Sequence, residues 1–532
     1  MLVFSLQLLG PVVVSLLRDA MNGCPPLETE ITSRMLFKDA AYSAAGHVYY
    51  ELSSYLNFKE WFNGALSLEL SNDHPNMRII HRKIAMILGQ WVSEVKGDMR
   101  RPVYCALIRL LQDNDLAVRL AACRSVCFLI QEVNFYVQDF SELLPTCWAL
   151  CFKLVEEVQE FDSKVQVLNL ISVLLEHVGE HIAPFANKLV EFFEKVWEES
   201  TGESLLQIQL LVSLRNFVVA LGYQSTIAHN MLFPILQRGI DINNPDELNL
   251  LEDSILLWDA TLSHAPSMVP QLLEFFPHLV TIIERNFDHL QIAVSILESY
   301  IVLGGSEFLN IHASSVAKLL DCIVGNVNDK GLLSTLPIIE ILVQCFPMEV
   351  PPLIGGTLQK LILICLGGGD DHDPSKSAVK ASTGAVLGRI LVMNTHFLAC
   401  LTSEQSLSLA LQQAGVSINQ NIILCVLLNI DSVMAIHKKI YALALSITLT
   451  LRMPQVLDKL DEILRCNSDS LAITVFLRIR ASDPIKQLSL ETMLKENLQS
   501  CAAIHGESAF NAALSRIDQA AFAQLQKALK MV

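Results

Sequence analysis

The sequence is short of positive charge. Against 55 aspartates and glutamates stand 38 lysines and arginines, a formal net charge of −17. A polyanion is repelled by such a chain, so nucleic acid and anionic lipid are poor partners, whereas basic protein segments are attracted at low salt. Charge of either sign is sparse, 17% of residues, in a chain that is 52% hydrophobic. With a mean hydropathy of +0.41, membrane spans have to be considered. Clean runs of span length are what the sequence lacks. IILCVLLNI is followed by Asp431 and the His437-Lys438-Lys439 cluster, and charges interrupt Arg78 to Trp91. The expectation is no membrane insertion, with helices buried between repeats accounting for the composition. The opening run MLVFSLQLLGPVVVSLL has the length of a signal or anchor but no basic n-region, since its first positive charge, Arg18, follows the apolar stretch.

Strand alternation is nearly absent, and so are a glycine-rich phosphate loop, a nucleophile elbow and a kinase signature. An enzyme is poorly supported, and no cofactor is expected. The thirteen cysteines resemble neither a disulfide framework nor a metal set. Most fall in apolar helical stripes: Cys123 and Cys127, Cys147 and Cys151, Cys322, Cys345, Cys365 and Cys425. Buried free thiols behave as small hydrophobes, which points to a reducing, intracellular compartment.

What is present is a helix pair, repeated. From Arg101 to Ile130 two apolar segments meet at an acidic turn, QDND. In the first, Val103, Leu107 and Leu110/Leu111 recur at helical spacing after Pro102. In the second, Leu116, Leu120, Cys123, Cys127 and Ile130 form one stripe and Val118, Ala122, Val126 and Leu129 another. Asp115 is placed to cap its first turn. A pair apolar on two faces needs similar pairs stacked on either side.

The chain supplies them. Prolines read as openings of first helices stand at Pro102, Pro145, Pro184, Pro234 and Pro277, which are 43, 39, 50 and 43 residues apart. HEAT and armadillo arrays repeat at roughly 40–47 residues, and 532 residues exceed the roughly 250–300 of a single compact core. The fold expected is all-α, an α-solenoid of HEAT/ARM-type repeats. Its divisions are first helices in 1–31, a truncated repeat; a solenoid in 32–366; a Gly-rich acidic loop in 367–377; further repeats in 378–465; an irregular linker in 466–484; and carboxyl-terminal helices in 485–532.

Three motifs suggest chemistry. His177, Glu180 and His181 match the H-x-x-E-H zinc-protease pattern, but Gly179 loosens the helix and Pro184 follows closely, so a frayed helix end is the expectation. Asp370, Asp371, His372 and Asp373 cluster oxygens without the spacing of a calcium loop, which reads as a flexible acidic insert able to touch a basic ligand. Clustered carboxylates at helix ends, Glu156, Glu157, Glu160 and Asp162, then Glu194, Glu198 and Glu199, make a solvated face or, repeated on successive units, a surface for basic cargo. Together with Asp370, Asp371 and Asp373 these are the candidate cargo-binding residues.

LLQDNDLAVRLAA resembles the HEAT consensus, in which an Asp six residues before an Arg, here Asp113 and Arg119, links neighbouring repeats in a ladder. With HRKIAMILGQWVSE before it, LLEDSILLWDATL, GSEFL, GRILVMNTHFL and DPIKQLSLETMLKENLQ after it, the chain from about Arg78 onward resembles the importin-β (karyopherin-β) superfamily. That resemblance implies a nuclear import receptor: protein cargo with a basic surface bound by the solenoid without catalysis, passage along nucleoporins, release by the small GTPase Ran, and residence in cytoplasm, nucleus and nuclear envelope. It also implies that the chain begins near the middle of the family's array, with Ran contact weakened or lost if the amino-terminal half is absent. The alternative is a HEAT scaffold for protein complexes without nuclear traffic.

Overall fold

The computed structural model describes residues 2–21, 31–243, 249–367, 373–416, 421–428, 437–453, 455–471, 483–517, 522–523 and 526, and among these there is no strand. The chain divides into two units, Met1–Pro266 and Ser267–Val532.

The first unit contains α1 (Leu2–Met21), α2 (Ser33–His47), α3 (Arg78–Gln90), α4 (Arg100–Leu110), α5 (Leu116–Ile130), α6 (Leu144–Glu157), α7 (Phe161–Val178), α8 (Ala186–Glu199), α9 (Ser204–Leu221), α10 (His229–Gly239) and α11 (Leu251–Ser263), with shorter helical turns between. One row runs α2, α3, α5, α7, α9, α11, each helix touching the next; α4 leans on both α3 and α5, and α6, α8 and α10 lean chiefly on α7, α9 and α11. Position in the row decides the apolar pattern. α7 has neighbours on both sides and buries Val167, Leu168, Leu170, Ile171, Val173, Leu174 and Leu175 on two faces, leaving Asn169 and Glu176 on an exposed one, whereas α8 buries one stripe, Leu189, Phe192, Phe193 and Val196.

Polar contacts fix the register. Ser125 Oγ donates to the Ala85 carbonyl at 2.6 Å, Cys123 Sγ lies 3.7 Å from the Gln166 carbonyl, Ser213 Oγ donates to the Leu168 carbonyl at 3.5 Å, and Asn216 Nδ2 donates to Ser172 Oγ at 3.0 Å. Their sequence separations, 40, 43, 45 and 44 residues, measure the repeat directly. It is the HEAT period of roughly 40–47, not the 34 of a tetratricopeptide unit. At Gly89 an added Cβ would lie 2.9 Å from the Ser125 Cα, so α3 and α5 approach as closely as they do because that side chain is missing. Asp115 caps α5 as its position predicts, accepting from the N–H groups of Ala117 and Val118 at 3.0 and 3.2 Å.

The second unit contains α12 (Pro270–Arg285), α13 (Leu290–Ile323), α14 (Asp329–Cys345), α15 (Gly355–Leu366), α16 (Pro374–Met393), α17 (Thr395–Thr402), α18 (Gln405–Gln413), α19 (Ile422–Leu428), α20 (Lys438–Thr448), α21 (Leu460–Leu471), α22 (Leu490–His505) and α23 (Glu507–Leu514). Its row runs α13, α14, α16, α20, closed by α22.

Several expectations need correcting. Pro234 and Pro277 lie inside α10 and α12, and Pro184 lies in the turn Gly179–Phe185. Pro234 and Pro277 are exposed, so water satisfies the carbonyl that each ring deprives of a donor. Two runs do have the length and composition of a span, Ser204–Gly239 and Leu290–Ile323. Each is broken by a glycine in a conformation closed to other residues, Gly222 (φ 56°, ψ −131°) and Gly305 (φ 50°, ψ −135°), and about half of each is buried among neighbouring helices. The expected 367–377 loop is shorter on its far side, because Asp373 accepts from Ser375 N–H at 2.9 Å and α16 starts at Pro374. The expected linker at 466–484 starts later: α21 continues to Leu471, with Asn467 Nδ2 donating to the Ile463 carbonyl at 2.8 Å. Residues 472–482 lie outside the described residues.

Candidate functional site

The acidic positions gather at one edge of the first unit, where first helices end and second helices begin. Glu156 and Glu157 close α6, Glu160 and Asp162 flank the start of α7, and Glu194, Glu198 and Glu199 lie in the last turns of α8. Carboxylates at a helix C-terminus oppose its dipole, and cations offset this. Arg119 donates to Glu157, Lys195 Nζ to Glu156 at 2.7 Å, and Lys164 lies 3.6 Å from Glu199. The Arg119 hydrogen bond holds the Glu157 carboxyl below the usual range, and Glu156 raises Lys195. Arg119 and Lys164 occupy the same position, 45 residues apart, in the first turns of α5 and α7, so these pairs are rungs of one ladder. Lys318 with Glu284 and Lys360 with Asp321 continue the device in the second unit at 2.8 and 2.7 Å.

Asp113 and Arg119 are engaged with other residues, not with each other. Asp113 accepts from Asp115 N–H at 2.8 Å and meets His81 Nδ1 at 3.2 Å, one repeat back, while Arg119 reaches one repeat forward. Of the ten candidate cargo residues, Glu156, Glu157 and Glu199 are held in ion pairs and Asp373 is a helix cap. Glu160, Asp162, Glu194 and Glu198 are exposed and make no ion pair among the described residues. Asp370 and Asp371 lie outside the described residues.

The other motifs are occupied structurally. His177 Nδ1 sits 3.0 Å from the Val173 carbonyl and His181 Nδ1 3.1 Å from that of Val178, each bound to its own local backbone. Among the described residues no group of three or more His, Cys, Asp or Glu is placed to hold a metal ion. Cys123, Cys127, Cys147 and Cys151 are buried, and burial pushes the Cys127 thiol up to about 12, so it stays protonated. Cys345, expected inside, is exposed.

Sequence reasoning missed a buried charge cluster in the second unit. Arg389, 3% exposed, donates bidentately to Asp483, 1% exposed, at 2.9 and 3.0 Å, and also to Glu340 at 2.8 Å; His437 Nε2 lies 3.1 Å from the other Glu340 oxygen. Burial would raise the Glu340 carboxyl, but His437 and Arg389 outweigh it and hold it below the ordinary range. Asp483 also caps Pro484–Gln487, accepting from Ile485 N–H at 3.0 Å. The cluster thus ties α14, α16, the start of α20 and the approach to α22 together. A signal was available: LPIIEILVQC and GAVLGRILVM each carry one charge inside an apolar run.

A family model described as importin-11-like, TPR repeats, matches residues 208–473 and 476–530. Importin-11 of Mus musculus is 30% identical over 399 residues, covering 75% of this chain and 40% of that protein. The chain therefore spans well under half the length of that relative. Among solved structures, the S. cerevisiae bidirectional nuclear transport receptor Lph2 superposes with a TM-score of 0.78 at 18% identity, over 98% of this chain and 59% of that one. Kap121p bound to RanGTP superposes with a TM-score of 0.55 at 12% identity, over 97% and 58%. With the family's own pattern matched across most of a chain that folds as stacked helix pairs of HEAT length, the chain belongs to the importin-11-like family of the importin-β superfamily.

Proposed function

We propose that the chain acts as a nuclear transport receptor, binding protein cargo with a basic surface, passing the nuclear pore on nucleoporins and releasing cargo when Ran in its GTP form binds. The observation that carries this reading is membership in the importin-11-like family, with 30% identity to a mouse importin over 399 residues. The −17 charge and the unpaired carboxylates Glu160, Asp162, Glu194 and Glu198 supply the electrostatics that a basic cargo needs. Asp370 and Asp371 belong to the same proposal. Binding energy spread over exposed helix ends needs no bond-making chemistry, so the chain acts without catalysis, moving between cytoplasm and nucleus by way of the nuclear envelope.

Nuclear entry in permeabilised cells tests this. The fluorescently labelled chain should accumulate in nuclei with Ran and an energy source and draw a lysine-rich histone in with it. Exclusion of both at the nuclear rim would remove the transport reading.

A further inference from the structure

The edge that bears the free carboxylates also bears large apolar side chains facing solvent. Leu116 is 39% exposed, Phe161 41% and Leu205 70%. They occupy the same place, the first two residues of α5, α7 and α9, and are 45 and 44 residues apart. The cross-helix hydrogen bonds align α5 with α7 at offsets of 42 and 43 residues and α7 with α9 at 44 and 45, so the three side chains stand in adjacent rungs. The stripe ends beyond α9, since Leu250, just before α11, is buried. Phe128 of α5 and Val219 of α9 are exposed as well, at 45% and 52%, but they lie near the far ends of their helices and α7 has no counterpart to them, whereas the three residues at the helix starts recur on three successive helices.

We propose that Leu116, Phe161 and Leu205 form a docking stripe for a basic amphipathic α-helix with apolar residues at every seventh position. This deepens the transport reading, in that the docked helix would belong to the cargo. Spacing selects the helix. Packed helices lie roughly 8–10 Å apart, and seven residues of α-helix advance about 10.5 Å, so residues i, i+7 and i+14 of one face meet three rungs. An extended strand fails, because its side chains alternate faces every residue. A polyproline helix repeats at about 9.3 Å, but its receptors are grooves lined by aromatic residues, and two of these three anchors are leucines. Charge selects the sign. Glu160 and Asp162 flank Phe161 unpaired, Glu203 stands before Leu205, and the cations of this edge, Arg119, Lys153, Lys164 and Lys195, are each held by a glutamate. An incoming lysine or arginine finds free carboxylates and no free cation among these.

The test is fluorescence anisotropy of the full chain with three labelled peptides of equal charge: an Ala/Lys/Arg helix with leucine at three successive seventh positions, the same composition with the leucines scattered round the helix, and a polyproline version. The heptad peptide should bind tightest and weaken with salt, and F161A/L205A, exposed positions whose loss leaves the circular dichroism unchanged, should weaken it about tenfold. Equal binding of the heptad and scattered peptides, or an unaltered affinity in F161A/L205A, overturns the stripe; tighter binding of the polyproline peptide overturns the helical occupant. No Ran or nuclear pore takes part, so the stripe can stand while nuclear entry fails, or fall while it succeeds.

Discussion

Arg389 carries the largest single-residue consequence. Its guanidinium lies between Glu340 and Asp483 with almost no access to water, and removing it leaves the buried Asp483 carboxylate without its cation and Glu340 with His437 alone. Breaking a buried pair on one side costs about 3–5 kcal/mol. Arg389→Met, close in length but uncharged, is therefore expected to lower by that much the unfolding free energy that urea titration gives for the second unit, whereas Arg119→Met, whose partner Glu157 stays 40% exposed to water, changes the stability less. Glu340 adds a pH dependence with a definite sign. Its carboxyl is held below the ordinary 4.5 of a glutamate, so its contribution is fully present above that value and is lost as the pH falls through the lowered native one. Glu340→Gln should flatten the acid limb of a stability-versus-pH curve while leaving neutral behaviour offset by a constant. At this scale the sequence was readable where the partner is local, as with Asp115 and its own helix. It was unreadable where the partner lies a repeat away, since only the packing register decides that Arg119 faces Glu157 and that Asp113 faces His81.

Helices and their ends explain the array's regularity. Gly179, Gly222 and Gly305 stop α7, α9 and the first half of α13 in nearly the same conformation, with φ of 57°, 56° and 50°. Around Gly305 an added Cβ would meet nothing, so an alanine there is opposed by backbone strain alone, about 1–3 kcal/mol. Gly305→Ala should lower the stability of the second unit by that amount, with amide exchange accelerated first around residues 300–312. The paired-helix pattern was legible throughout because a row helix packed on both sides must be apolar on two faces. Helix openings were less so. Proline marks a first turn only by tendency, and Pro234 and Pro277 sit on solvent faces where one lost hydrogen bond is tolerated. The late end of α21 was not legible because Asn467, polar in the sequence, bonds back along the helix.

Within each unit, repeats that touch chiefly their neighbours imply stability that is largely local, with the Arg389 cluster as the exception that spans two repeats, and a strongly acidic surface implies affinity for basic partners that falls with salt. The family could be read from the ordered series of segments from Arg78 onward, and the acidic edge from its clustered carboxylates. Which of those carboxylates remain free could not, because the ladder that occupies Glu156, Glu157 and Glu199 exists only once the repeats are stacked. The central claim is that this acidic, helical-repeat chain holds basic protein cargo under the control of Ran. It is tested most directly by titrating RanGTP, with RanGDP in parallel, into a preformed complex of the full chain and a lysine-rich histone at physiological salt. Release by RanGTP and not by RanGDP is the result expected; a complex that RanGTP leaves intact, or that never forms, contradicts it.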